Sequence, residues 1–81
     1  MNVRILAPST PAQFRRYYRL RWQVLRQPWN QPPGSERDTH DEGAVHAMAV
    51  DNHHVLVGVG GLHRLDARTG QIRYLAVAQA R

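Results

Sequence analysis

The run from Ile72 to Ala78, within the sequence GQIRYLAVAQAR, constrains the fold more than any other stretch of the chain. A strand that is apolar on both faces normally lies inside a sheet, with neighbours at both edges and cover above and below. Here the chain ends three residues later, at Arg81. We therefore expect this strand to belong to a larger sheet, for which these 81 residues do not supply all the neighbouring strands and covering layers.

Length and composition limit the classes of protein that the chain can form. A chain of 81 residues holds one domain at most and buries only about 60–65% of the surface of its unfolded form. The absence of cysteine excludes disulfides, thiolate metal sites and a cysteine nucleophile. The apolar runs are far shorter than the roughly 20 residues that cross a bilayer, and the N-terminus lacks a signal-peptide core. We predict a cytoplasmic protein without a membrane partner.

The order of elements predicts an α+β fold. The segment STPAQFRRYYRLRWQVLRQP has a capping Ser9 or Thr10 and prolines at its start and end, which predicts a helix over 10–27. Strands are expected over 2–6, 44–51, 54–65 and 71–78, with a Pro/Gly-rich loop over 28–43 in which Ser35 caps a short helix. Residues 1–81 are thus predicted to form one antiparallel sheet of three or four strands packed on one long helix.

One charged residue interrupts the apolar side of the predicted helix. Placed at about 100° per residue, Arg21 falls among aromatic and aliphatic side chains, whereas Arg15, Arg16, Arg19 and Arg26 lie on the opposite side. An unpaired guanidinium would be costly there. We expect Arg21 to pair with a carboxylate of the following loop, with Asp38 or Glu36 favoured.

The net charge of +5, carried by eleven arginines, favours anionic partners. However, the helix turns its aromatic side chains toward the core and its arginines outward, so a solvated basic face is preferred and no nucleic-acid partner is expected.

The chain also offers few residues for metal or acid–base chemistry. Cross-strand pairing is expected to place His63 beside Tyr74, with His46 on the neighbouring strand, but the five histidines lack the spacing of a metal site and none is predicted. The segment Gly58–Gly61 is followed by more strand, so it indicates a bulge or a close approach instead of a phosphate loop. The remaining candidates for a general base are His63, His46, Glu36, Asp38 and Glu42.

Three stretches, taken in this order, resemble the GNAT superfamily of acyl-CoA-dependent N-acyltransferases. They are YYRLRWQVLRQP for its first helix, QPPGSERDTHDE for the loop before the sheet and QIRYLAVAQAR for its fourth strand. The resemblance covers nearly all of this chain but only the N-terminal half of the family fold. It implies transfer of an acyl group from acetyl-CoA or another acyl-CoA to a small-molecule or peptide amine. The backbone of Leu75, Ala76 and Val77 would contact the acyl-CoA, and His63 and Glu36 are the catalytic candidates.

The family's Q/R-x-x-G-x-G/A loop, which holds the CoA pyrophosphate, would begin at or just after Arg81. We therefore expect weak or absent CoA binding and no catalysis by these 81 residues alone. Two alternatives remain open: a non-catalytic module that forms a homodimer through its open sheet, and a small basic nucleic-acid-binding protein. For the final strand we expect Ile72, Tyr74 and Ala76 on one face, with Leu75 and Val77 on the other.

Overall fold

The computed structural model describes residues 3–39, 41–64 and 68–78, and for residue 64 the backbone alone. The chain forms strand β1 (Val3–Leu6), helix α1 (Pro11–Leu25), strands β2 (Val45–Asp51), β3 (Leu56–Arg64) and β4 (Gly70–Val77), and two 3-10 turns at Gln27–Trp29 and Asp41–Gly43. The predicted α+β class is confirmed. The short helix expected at Ser35 is absent there, and the described loop has a 3-10 turn at Asp41–Gly43 instead. Ser35 lies in a tight turn in which its hydroxyl donates a hydrogen bond to the Pro32 carbonyl.

The four strands form one antiparallel sheet in the order β1-β2-β3-β4. Each strand pairs with the next along the chain, so β2, β3 and β4 form the predicted meander, whereas α1 lies between β1 and β2 in the chain. The strands β1 and β4 are the two edges of this sheet.

Helix α1 begins and ends where its sequence dictates. The Thr10 hydroxyl accepts a hydrogen bond from the Gln13 backbone amide, and Gln13 Oε1 accepts one from the Thr10 backbone amide, forming a capping box. The α-helix ends at Leu25, two residues before the predicted end, because Pro28 has no N–H to continue it. The chain tightens into the 3-10 turn Gln27–Trp29 and leaves it through Asn30, which has a φ of 58°.

The helix covers one face of the sheet. Its Tyr17 and Leu20 pack against a core formed by Met48, Val50, Val59 and Ala76. The opposite face is exposed: the side chains of Ile5, Ile72, Leu75 and Val77 are 71%, 70%, 68% and 64% accessible. We call this surface the open face. Its members are Val3, Ile5, Val45, Ala47, Ala49, Gly58, Gly60, Leu62, Ile72, Leu75 and Val77.

Strand β4 contains a β-bulge that the alternation of its sequence does not reveal. The pairing passes from Gly61 with Arg73 to Val59 with Ala76, so Tyr74 and Leu75 together oppose Gly60. Tyr74 has a φ of 57°, the left-handed conformation that a bulge accommodates. The extra residue reverses the alternation of side chains. The expectation that Ile72 shares a face with Tyr74 is therefore wrong, because Ile72 lies on the open face and Tyr74 turns toward the helix.

Candidate functional site

Arg21 occupies the centre of a polar cluster between α1 and the sheet. Its side chain is completely buried, and Nη1 donates to Asp41 Oδ1 at 2.7 Å and to the Glu36 carbonyl at 3.2 Å. The prediction that Arg21 pairs with the carboxylate of Asp38 or Glu36 is therefore wrong, because the partner is Asp41. The 3-10 turn at Asp41–Gly43 carries the Asp41 carboxylate to the guanidinium, which sequence spacing alone does not indicate.

Three tyrosine rings surround the same guanidinium. Its central carbon lies 4.3 Å from the ring centroid of Tyr74, 5.0 Å from that of Tyr18 and 5.1 Å from that of Tyr17. Burial acts to lower the pKa of Arg21, but the hydrogen bond to Asp41 and the nearby Tyr17 outweigh it, and the pKa is raised. Arg21 is thus a permanent cation that links the helix, the loop and β4.

The Tyr17 hydroxyl lies at the junction of three polar groups. It accepts from Arg21 Nη2 at 3.0 Å, and it lies 2.9 Å from the Gly60 carbonyl and 2.8 Å from His46 Nδ1. The Nε2 atom of His46 faces the Asp41 carbonyl at 2.8 Å, so it donates a proton there. Both ring nitrogens of His46 are therefore engaged, and this candidate base has no nitrogen free to receive a substrate proton.

A second contact ties the loop to the bulge. The Tyr74 hydroxyl donates to Asp38, and Arg73 Nη1 lies 3.3 Å from the same carboxylate. Partial burial, together with the Asp38 carboxylate that accepts its proton, raises the pKa of Tyr74. The bulge places Arg73 and Tyr74 on the same side of the strand, so both side chains reach one acid.

An open groove runs between α1 and the segment 33–44, and we call it the α1 groove. Phe14, Tyr18 and Trp22 line it from the helix, and the Arg37 guanidinium lies 4.1 Å above the Tyr18 ring from the loop. Arg15 and Arg19 stand beside the aromatic residues. No residue of β4 lines this groove, so it is distinct from the edge of the sheet.

The structure places the two predicted catalytic candidates apart. Glu36 is buried in the wall of the α1 groove, where its Oε1 accepts from the Gly34 amide at 2.8 Å. His63 is buried in β3 opposite Gln71, and does not lie beside Tyr74 as expected, because the register of β3 and β4 places Tyr74 at the level of Gly60. Of the other acids, Asp38 is bound by β4, and Glu42 is exposed on the groove. Within the described ranges, no three His, Asp or Glu side chains converge as a metal site would require.

The three residues predicted to contact acyl-CoA lie at the bulge (Leu75) and directly after it (Ala76 and Val77) on the edge strand. The Ala78 amide donates to the Val57 carbonyl at 2.8 Å, so the alternation of an antiparallel strand turns the backbone groups of Val77 toward the free edge. The same alternation turns the Leu75 carbonyl outward, whereas Ala76 pairs with Val59 and its methyl group is buried. The edge thus offers backbone groups from Leu75 and Val77 to an extended ligand.

No family model matches this chain. Among the helices of the described residues, none has the length and apolar character that crossing a membrane requires.

Proposed function

We propose that this chain forms the acceptor and thioester side of a GNAT-like N-acyltransferase. The observation that carries the proposal is the bulge at Tyr74–Leu75 on an edge strand, next to backbone groups that no other strand occupies in the described sheet. An acyl-CoA arm is an extended chain with amide groups. It can add to the edge of β4 as a further strand would, with Leu75 and Val77 supplying donors and acceptors.

Acyl transfer depends more on holding the amine against the thioester carbonyl than on specialised side chains. The amine nitrogen attacks the thioester carbonyl, the new N–C bond forms and the C–S bond breaks, a base takes the amine proton and the thiolate is protonated as it leaves. Neither predicted base lies at the β4 edge, because Glu36 is buried in the wall of the α1 groove and His63 is buried in β3, so the amine proton is assigned to no residue of this chain.

The test is an NMR titration of the chain with acetyl-CoA. We expect a dissociation constant in the millimolar range, about 1 mM or weaker, with shifts concentrated at the amides of 75–77. Val77→Pro removes the outward N–H of this edge, a position where proline is tolerated in a sheet, and should abolish the shifts. Val77→Ala keeps the N–H and is the matched control. Shifts that survive Val77→Pro, or a micromolar constant, would contradict the proposed mode of binding.

The open face favours a second candidate, a homodimeric interaction module. Its members are apolar residues and glycines, so two copies can meet without opposing charges, in spite of the chain's net positive charge. Light scattering should give twice the monomer mass at micromolar concentration. Ile72→Lys or Val77→Lys should yield folded monomers, while Gln23→Lys adds the same charge on the exposed side of α1 and should leave the dimer intact. A wild-type monomer would exclude this candidate.

A further inference from the structure

We propose that the α1 groove binds a small molecule that carries both a phosphate group and a flat ring, the chemistry of a nucleoside monophosphate. The site is separate from the β4 edge, so it does not depend on acyl transfer. Two features of the groove support it: arginines whose charge is not neutralised, and a row of aromatic side chains beside them.

Most arginines of the described residues are committed elsewhere. Arg21 and Arg73 pair with aspartates, and Arg16 and Arg26 donate to the carbonyls of His54 and Ser35. By contrast, Arg15 and Arg19 have no hydrogen-bond or ion-pair partner within the described ranges, and Arg37 contacts Tyr18 without an ion-pair partner there. These three guanidiniums border one groove. They have donors available for an anion.

The acids of the same groove do not cancel this charge. Asp41 is neutralised by Arg21, Asp38 is held by Arg73 and Tyr74, and Glu36 is bonded to the Gly34 amide. Glu42 is the exposed acid of the lining. The charge of the lining therefore stays positive: Arg15, Arg16, Arg19 and Arg37 have no ion-pair partner within the described ranges, against the two carboxylates of Glu36 and Glu42. Phosphate suits this set better than a carboxylate, because it carries up to two charges and three acceptor oxygens.

The aromatic residues supply the second half of the site. Phe14, Tyr18 and Trp22 recur every four residues along α1, so they form one row, and Arg15 and Arg19 form a parallel row one position on. The rings are held in place: Trp22 Nε1 donates to the Gln31 carbonyl at 2.9 Å, and the Phe14 and Tyr18 centroids are 6.1 Å apart. A flat ring can lie along this row while its phosphate reaches the arginines.

The hydrogen bonds of the helix arginines also disfavour binding of a nucleic-acid polymer. The four outer arginines of the helix look like a polynucleotide track in the sequence, but the structure commits Arg16 and Arg26 to backbone carbonyls. Three remaining guanidiniums around one groove match a single phosphate. A polymer binds through a series of phosphates along a continuous basic surface.

The experiment measures binding of adenosine 5′-monophosphate to the full chain. Trp29 is 74% exposed and outside the groove, so Trp29→Phe leaves Trp22 as the single tryptophan reporter. We expect quenching of Trp22 fluorescence with a dissociation constant below about 1 mM, and binding at least about tenfold weaker for adenosine and for inorganic phosphate alone. Arg15→Gln and Arg19→Gln should each weaken binding about tenfold. Both residues are exposed, so neither change should affect folding.

The matched control is Arg4→Gln, which removes the same charge on β1, outside the groove. It should change the dissociation constant less than about twofold. An equal loss in Arg4→Gln would show attraction by net charge only and overturn the proposal. So would adenosine binding as tightly as the monophosphate, tighter binding of an oligoribonucleotide, sensitivity to Val77→Pro, or no quenching up to about 10 mM.

Discussion

Arg21 lies inside a small core because compensating groups surround most of its guanidinium, although the buried Nε has no hydrogen-bond partner among the described residues. Asp41 supplies the charge, the Glu36 carbonyl takes a second bond, and three tyrosine rings present their faces to the cation. The sequence predicts that this arginine is buried and paired. It could not name the partner, because four acids lie within the segment ERDTHDE and the choice depends on how that segment turns.

Arg21→Ala should lower the free energy of unfolding by about 3–5 kcal/mol, since it strands the Asp41 carboxylate in a buried site. Urea denaturation measures the loss. Arg19→Ala, on the exposed side of the same helix, should change the free energy of unfolding by less than about 0.5 kcal/mol. If the Arg21 variant does not fold, Arg21→Lys, which keeps the charge but not the planar fork, provides a milder comparison. An effect as small as that of the control would mean that Arg21 is solvated.

The three tyrosines predict an alkaline limit to stability. Burial raises the pKa of Tyr17, Tyr18 and Tyr74 above the ordinary value of 10.0. Above that value the unfolded chain loses phenol protons that the folded chain keeps, so the unfolded state binds fewer protons and the free energy of unfolding falls as pH rises. Urea denaturation at about pH 8 and about pH 11 should show this fall, and Tyr17→Phe should reduce it. Tyrosinate absorbance rising around pH 10 in the native protein would contradict it.

At the scale of elements, local signals predicted α1 and the meander, while the bulge in β4 escaped them. Capping residues and prolines mark the helix, and turn residues separate the strands. The bulge depends on Tyr74 holding a φ of 57°, which is unusual for an aromatic residue, and on a partner strand with Gly60 at that level. Neither condition can be read from the strand's own alternation. The face assignment of Ile72 failed for this reason, whereas the pairing of His63 with Tyr74 failed because the register of β3 and β4 sets His63 opposite Gln71.

The capping box gives a prediction at this scale. Thr10→Ala removes the hydroxyl that accepts from the Gln13 amide at 3.1 Å, and should lower the free energy of unfolding by about 0.5–2 kcal/mol. Thr10→Ser keeps the acceptor and should lose much less. Thermal unfolding followed by circular dichroism compares the two variants. Equal losses would show that packing of the threonine methyl group, not the cap, stabilises the start of α1.

In the whole molecule, the segment 31–44 links helix α1 to strand β4, a connection that the sequence pattern does not indicate. It has little regular structure, yet Glu36 and Asp41 within it are buried. Asp41 fixes the segment to the helix through Arg21, and Asp38 fixes it to β4 through Tyr74 and Arg73. The wall of the α1 groove is therefore also the support of the bulge. The two proposed sites share this segment, although they lie on different surfaces.

Releasing one attachment should loosen the segment while the sheet stays folded. Asp38→Asn keeps the size of the side chain but removes the charge that Tyr74 and Arg73 bind, so the chain around Arg37 should open more often. Brief trypsin digestion, with the cut mapped by mass spectrometry, should show cleavage after Arg37 several times faster than in the wild type. Glu42→Gln is the matched control, because Glu42 lies in the same segment and is exposed, and its cleavage rate should equal that of the wild type. Equal rates in all three proteins would mean that the other attachments of the segment, Asp41 to Arg21 among them, hold it without Asp38. A general rise in cleavage at every arginine would mean that Asp38 supports the whole fold, and then the loop and the sheet unfold as one unit.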